Sequence, residues 1–193
     1  MSVDIKIVEE PKQPMTMNPK KFGMWLFMVT VFMVFAALSS AYIVMRAEGN
    51  WSYFELPALF WVNTVVILIS SITLQWAYVS AKRDNLESVK IATIITAILG
   101  IGFMVGQYFA WADLVTNSIH LVGNPSGSFV YIISGLHGAH VLGGVIYLLI
   151  LLGSTQKGLV HSKSLNRIEM CATYWHFLGG LWLYLFLFLL LYR

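Results

Sequence analysis

Long runs without a single charged side chain are the feature that most limits how this chain can fold. Four such runs cover residues 22–45, 56–81, 91–112 and 170–192, and a fifth uncharged stretch covers 114–156. A helix of about 20 apolar residues is long enough to cross the hydrocarbon core of a bilayer. Charged residues make up only 11% of the chain, so too few remain to cover a water-soluble particle. The runs therefore predict membrane-spanning helices.

The fifth uncharged stretch is longer than one membrane span requires. Its first part is rich in loop-forming residues, including Asn117, Gly123 and residues 125–128, so the helix is expected to start near Phe129. The sequence thus predicts an all-α bundle of five transmembrane helices, formed by residues 22–193 after an N-terminal tail of residues 1–21. The predicted spans are residues 22–45, 57–81, 91–113, 129–153 and 170–192.

The positions of the basic residues predict how the bundle crosses the membrane. Lys and Arg are enriched in the cytoplasmic segments of membrane proteins. The tail, the link between spans two and three and the link between spans four and five lie on one side of the membrane. They carry Lys6, Lys12, Lys20, Lys21, Lys82, Arg83, Lys90, Lys157, Lys163 and Arg167. Only Arg46 and Arg193 fall on the other side, so we predict a cytoplasmic N-terminus and a periplasmic C-terminus. Basic residues scattered in this way do not favour nucleic-acid binding.

A few polar side chains lie inside the predicted spans, and these are the first candidates for function. They are Asn63, Gln75, Gln107, His137, His140 and His176. Intramembrane histidines can bind haem iron, so a b-haem electron carrier is one hypothesis. His137 and His140 are three positions apart and face roughly one side of their helix. They cannot bind opposite sides of one iron, which leaves His176 as the required partner.

The depth of these histidines argues against a shared iron. From the helix rise, His140 lies roughly 20 Å from the inner end of its span and His176 lies about 9 Å from the inner end of its own. The offset of ~10 Å exceeds the gap of about 4 Å between two axial nitrogens. Structural or lipid-binding roles are therefore favoured for the three histidines. No Asp or Glu lies deep in a span, so the chain alone is not expected to conduct protons.

Several motifs in this chain resemble those of subunit III of the haem–copper terminal oxidases. Residues 21–27 (KFGMWLF) open span one, and residues 135–141 (GLHGAHV) match that family's Gly-x-His-Gly-x-His-Val pattern. Residues 174–177 (YWHF), followed by Trp182, are similar to its Tyr-Trp-His-Phe…Trp pattern, and Gln107 matches a further family position. The order and spacing of these motifs agree from about residue 20 to the C-terminus.

The resemblance implies a short, five-helix bacterial form of the family, located in the bacterial inner membrane. Such a subunit carries no catalytic centre and binds no haem or copper itself, because these cofactors belong to partner subunits. It packs beside subunit I, accompanies subunit II and small accessory subunits, and holds phospholipid. The complex reduces oxygen and translocates protons. Cytochrome c is the expected electron donor, and a quinol oxidase is the alternative. A nitric oxide reductase accessory protein and the b-haem carrier are secondary alternatives.

The resemblance also suggests which side chains contact other helices or lipid. The candidates it supplies are Gln107, His137, His140, Trp175, His176 and Trp182. Gly102 and Gly106 add a small-xxx-small pair, the spacing at which membrane helices pack closely. Many relatives carry intramembrane acids where this chain has Val31, Ala110 and Gly179. Their replacement favours a structural and lipid-holding role over a proton-linked role.

Overall fold

The computed structural model describes residues 18–49, 51–156 and 165–192. These residues form five α-helices and no strand: α1 Pro19–Ala47, α2 Leu59–Lys82, α3 Leu86–Thr116, α4 Pro125–Gln156 and α5 Asn166–Tyr192. Each helix is long and apolar enough to cross a membrane. The predicted all-α bundle of five membrane helices is confirmed. Most of the predicted tail, together with Lys157 and Lys163, lies outside the described residues, and the orientation of the bundle stays a prediction.

Helix α5 lies at the centre of the bundle. It packs against α1, α2 and α4, while α3 packs against α2 and α4. Buried residues make up 56% of the apolar window of α5 but only 28% of that of α1. Helix α1 is therefore the peripheral helix, with one face on α4 and α5 and the rest exposed.

Asparagine side chains cap three of the helices at their N-termini. Asn18 Oδ1 accepts from the backbone N–H of Lys20 at 3.1 Å, and Asn85 Oδ1 accepts from that of Ser88 at 3.2 Å. Asn124 Oδ1 accepts from the backbone N–H of Ser126 at 2.9 Å. Such caps satisfy amides that have no partner within the helix.

The cap at Asn124 corrects the predicted start of the fourth helix. The loop predicted for residues 125–128 is wrong, because α4 begins at Pro125. Proline is well suited to the first position of a helix, since its fixed φ is helical and its missing N–H needs no partner there. Ser and Gly in the first turn therefore do not prevent the helix from forming.

Both ends of α1 are fastened to α5. At one end Lys21 Nζ forms an ion pair with Glu169 at 2.8 Å. At the other end the Tyr42 hydroxyl donates to the backbone carbonyl of Tyr192 at 3.3 Å. Between these points Phe35 is fully buried. These contacts hold the least buried helix in register with the most buried one.

The cap of α4 gives a testable prediction. Asn124→Ala removes the cap acceptor and should lower the free energy of unfolding by about 1 kcal/mol. Asn124→Asp keeps an acceptor and should retain most of that stability. The measurement is thermal unfolding of the chain in detergent micelles, followed by circular dichroism.

Asn124 Nδ2 also donates to the Ser52 hydroxyl at 2.8 Å, and in the aspartate variant the Ser52 hydroxyl can donate to the carboxylate instead. Equal destabilisation by the Ala and Asp variants would therefore show that the acceptor at position 124 does not stabilise the helix and would contradict the capping role.

Candidate functional site

Two buried tryptophans of α5 donate hydrogen bonds to hydroxyl groups of α2. Trp175 Nε1 donates to Ser70 Oγ at 2.9 Å, and Trp182 Nε1 donates to Thr64 Oγ1 at 3.0 Å. Each hydroxyl in turn donates to a backbone carbonyl about one turn earlier in α2. Both indoles are 1% exposed, so no water is needed to satisfy their N–H groups. The two predicted candidates thus act as polar links between α5 and α2.

Glycines on two neighbouring helices make room for the Trp175 ring. A Cβ atom added at Gly100 of α3 would lie 2.7 Å from Trp175 Cη2, and one added at Gly144 of α4 would lie 3.1 Å from the same ring. Trp175 therefore sits where α2, α3, α4 and α5 meet, and its position depends on the absence of side chains at these two glycines.

Gln107 links α3 to α2 through an amide pair. Asn63 Nδ2 donates to Gln107 Oε1 at 3.3 Å, and both side chains are about 2% exposed. Gly106 lies against the Asn63 side chain, whereas Gly102 has no neighbouring atom within 4 Å of an added Cβ. The two glycines of the predicted small-residue pair therefore differ in their surroundings. Gly106 contacts α2, whereas Gly102 faces outward.

His137 is enclosed by aromatic rings at the centre of the bundle. Its exposure is 0%, and its ring centroid lies 5.0 Å from that of Trp182, 5.8 Å from Phe103 and 6.4 Å from Phe35. Among the described residues, neither ring nitrogen has a hydrogen-bond partner. The contacts of His137 within this part of the chain are therefore aromatic packing.

The other two histidines point toward different helices. His140 Nδ1 lies 2.7 Å from the Leu136 carbonyl of its own helix, and its ring packs near Phe27 and Phe35 of α1. His176 Nε2 instead lies 3.1 Å from Gln75 Oε1 of α2. One ring faces α1 and the other faces α2, so the fold does not bring them together around one iron. Within the described part of the chain, no cluster of three or more His, Cys, Asp or Glu residues could hold a metal ion.

The hydroxyl partners were missed by reasoning from the sequence. Ser70, Thr64 and the Thr73–Thr96 pair, whose hydroxyl oxygens are 2.8 Å apart, all link α2 to another helix. Ser and Thr in a helix commonly bond their own backbone, so the residue type does not mark them as interhelical. The available signal was that α2 carries an unusual number of polar side chains for a membrane span.

The space around Trp175 gives a second prediction. Gly100→Ala should lower the free energy of unfolding by about 1–3 kcal/mol, the usual cost of adding a methyl group to a filled core. The cost arises because the Trp175 ring is buried and held by its bond to Ser70. Gly102→Ala on the same helix is the matched control and should be neutral or slightly stabilising. Thermal unfolding in micelles compares the two, and equal stability would contradict the packing role.

Comparison with known proteins places this arrangement in a family. The family described as "Cytochrome c oxidase subunit III" matches residues 9–193. A "Probable quinol oxidase subunit 3" of Staphylococcus saprophyticus is 27% identical and aligns with 96% of this chain and 94% of its own length.

Two further relatives carry the cytochrome c oxidase name. A "Probable cytochrome c oxidase subunit 3" of Mycobacterium leprae is 29% identical, over 88% of this chain and 86% of the relative. A "Cytochrome c oxidase subunit 3" of Bacillus sp. (strain PS3) is 26% identical, over 91% of this chain and 88% of the relative. With the family match covering nearly the whole sequence, the chain belongs to the cytochrome c oxidase subunit III family.

Proposed function

We propose that this chain is a non-catalytic subunit III of a proton-pumping haem–copper terminal oxidase. The observation that carries the proposal is the family match over residues 9–193. In this proposal oxygen reduction takes place on haem and copper in partner subunits. The present chain packs beside subunit I, stabilises it and holds lipid. Subunit II and small accessory subunits complete the complex, which resides in the bacterial inner membrane with the N-terminus of this chain in the cytoplasm.

The use of the interior polar groups supports a structural role for this chain. The indoles of Trp175 and Trp182 and the side-chain oxygen of Gln107 take part in hydrogen bonds between helices. His137 is fully buried among aromatic rings, so it is not accessible to a substrate. The candidate residues in the bundle interior therefore serve to fix the bundle.

A cavity beside α1 supports the proposed lipid binding. It has a volume of about 290 Å³ and lies where α1 meets α4 and α5, lined by Met24, Phe27, Gly143, Tyr147 and Tyr174. Its lining is largely apolar, as an acyl chain requires. Lys20 is exposed one helical turn before Met24, so its ammonium group is well placed for an anionic headgroup.

The electron donor is proposed to be cytochrome c, with quinol as the alternative. Relatives named for each type align with most of this chain. The donor binds elsewhere in such a complex, so the two versions of the proposal share the same role for this chain. A nitric oxide reductase accessory protein is a weaker alternative, and no observation favours it.

Three positions at which many relatives carry acids are buried or closely packed here. Val31 is 4% exposed and Ala110 is fully buried. A Cβ atom added at Gly179 would lie 3.0 Å from Ser71 Oγ. Because Val31 and Ala110 are buried apolar side chains and Gly179 has no side chain, we propose that the chain takes no direct part in proton transfer.

Restoring an acid at Val31 tests this last point. Val31→Glu and the uncharged Val31→Gln should have the same effect on turnover-linked inactivation of the oxidase, because any effect comes from burying a larger polar group. The measurement is oxygen consumption by the purified complex over many turnovers. A change produced by Glu but not by Gln would show that a carboxyl group acts at this position and would overturn the structural role.

The main proposal is tested by the composition of the native complex. We expect an affinity tag on this chain to recover, in mild detergent, a large haem- and copper-binding subunit in fixed ratio, identified by mass spectrometry. The subunit II type found beside it would identify the donor. Recovery of the chain alone or with unrelated proteins would refute the proposal, and a haem spectrum from the isolated chain would then favour the b-haem carrier.

A further inference from the structure

A second groove, separate from the cavity beside α1, runs along the outer face of α2. Its volume is about 860 Å³, and it is lined by Leu68, Ser71, Ile72, Gln75, Trp76, Val79 and His176. The six α2 residues follow the spacing of a single helix face. His176 is the contribution of α5. From Leu68 to Val79 the groove covers 12 residues of α2, which corresponds to a rise of about 16 Å along the helix axis.

The groove contains a polar pair on walls that are otherwise largely apolar. Gln75 is exposed, and its Oε1 lies 3.1 Å from His176 Nε2. If His176 donates this bond, its Nδ1 remains an acceptor and the Gln75 amide remains a donor. If the Gln75 amide nitrogen donates instead, His176 Nδ1 is the free donor and the Gln75 side-chain oxygen is the free acceptor. In either arrangement the bond between the two side chains leaves one donor and one acceptor of the pair unused.

The depth of the pair prevents water from satisfying it easily. Gln75 lies seven residues before Lys82, the last residue of α2, which places it about 10 Å from that helix end. Polar groups that face hydrocarbon without a partner are unfavourable in a bilayer. An acyl chain fills apolar space but offers neither a donor nor an acceptor. An occupant with a hydrogen-bonding group at this depth would satisfy the donor and the acceptor that the pair leaves unused.

We propose that this face of α2 and α5 binds a transmembrane helix of a partner subunit, and that an amide or hydroxyl side chain of that helix bonds the Gln75–His176 pair. The inference rests on the proposed function and specifies the face through which the chain docks. A helix fits because the groove follows about three turns of α2. Ser71 is small, and its hydroxyl lies close to Gly179, so a partner backbone can approach closely there.

Site-specific cross-linking in the intact oxidase tests the docking face. A photoreactive benzoylphenylalanine replaces Ile72, which lines the groove and is 70% exposed, or Ile98 of α3, which is 62% exposed and outside it. The two positions lie at similar depth, since α2 ends and α3 begins at the same short turn. We expect a cross-link to another protein subunit from position 72 and lipid adducts from position 98. Lipid adducts alone from position 72 would overturn the inference.

Side-chain substitutions test the polar pair itself. Gln75→Leu and His176→Leu should each weaken retention of the chain in the complex by about threefold, the typical effect of one hydrogen bond between membrane helices. His176→Gln keeps a donor and an acceptor and should restore retention. The measurement is the ratio of this chain to the haem-binding subunit during detergent washing. Unchanged retention in both leucine variants would contradict the polar contact.

These outcomes separate the inference from the proposed function. If the chain co-purifies with a haem- and copper-binding subunit but position 72 reaches only lipid, the docking face is wrong and the proposed function stands. If the wild-type chain recovers no such subunit, the proposed function itself fails.

Discussion

Apolar burial does little to drive helices together within a bilayer, because lipid tails are as apolar as the side chains they replace. The bundle therefore depends on close packing and on hydrogen bonds between helices. The bonds from the two α5 indoles to the α2 hydroxyls meet this requirement at two levels about two turns apart. They fix both the rotation and the vertical register of α5 against α2, and the remaining helices pack around this pair.

The glycines determine where the aromatic side chains can lie. Gly100 and Gly144 admit the Trp175 ring between α3 and α4. About two turns further along α5, Trp182 packs against Phe60, Phe103 and His137. Large rings thus fill a core that small residues leave open, and several of its polar side chains join helices. A core built in this way holds its aromatic side chains in fixed positions, as the proposed role of a supporting subunit requires.

The sequence predicted the number and approximate extent of the helices because charges mark where each span leaves the hydrocarbon. It could not predict how each helix is rotated, since a membrane helix is apolar on every side and its periodicity is weak. Rotation is what separates Gly106 from Gly102 and directs His140 toward α1 and His176 toward α2. The sequence predicted too late a start for α4, because the side chain of Asn124 caps the helix although residues 125–128 are typical of a loop. The Ser and Thr partners of the indoles were not predicted, because the rotation of each helix also determines which hydroxyl groups face inward.

The two membrane-facing concavities differ in chemistry, and this difference bears on the role of the chain. The cavity at α1 is apolar and lies one turn from the exposed Lys20, which matches an acyl chain below an anionic headgroup. The groove on α2 carries a donor and an acceptor about 10 Å from the helix end, where a lipid molecule has only hydrocarbon to offer. In the proposed role the bundle binds lipid on one face and protein on another, and this requires that the two faces keep a fixed relative position. The contacts from α5 to both α1 and α2 supply that relation, because α5 touches each of the helices that carry these sites.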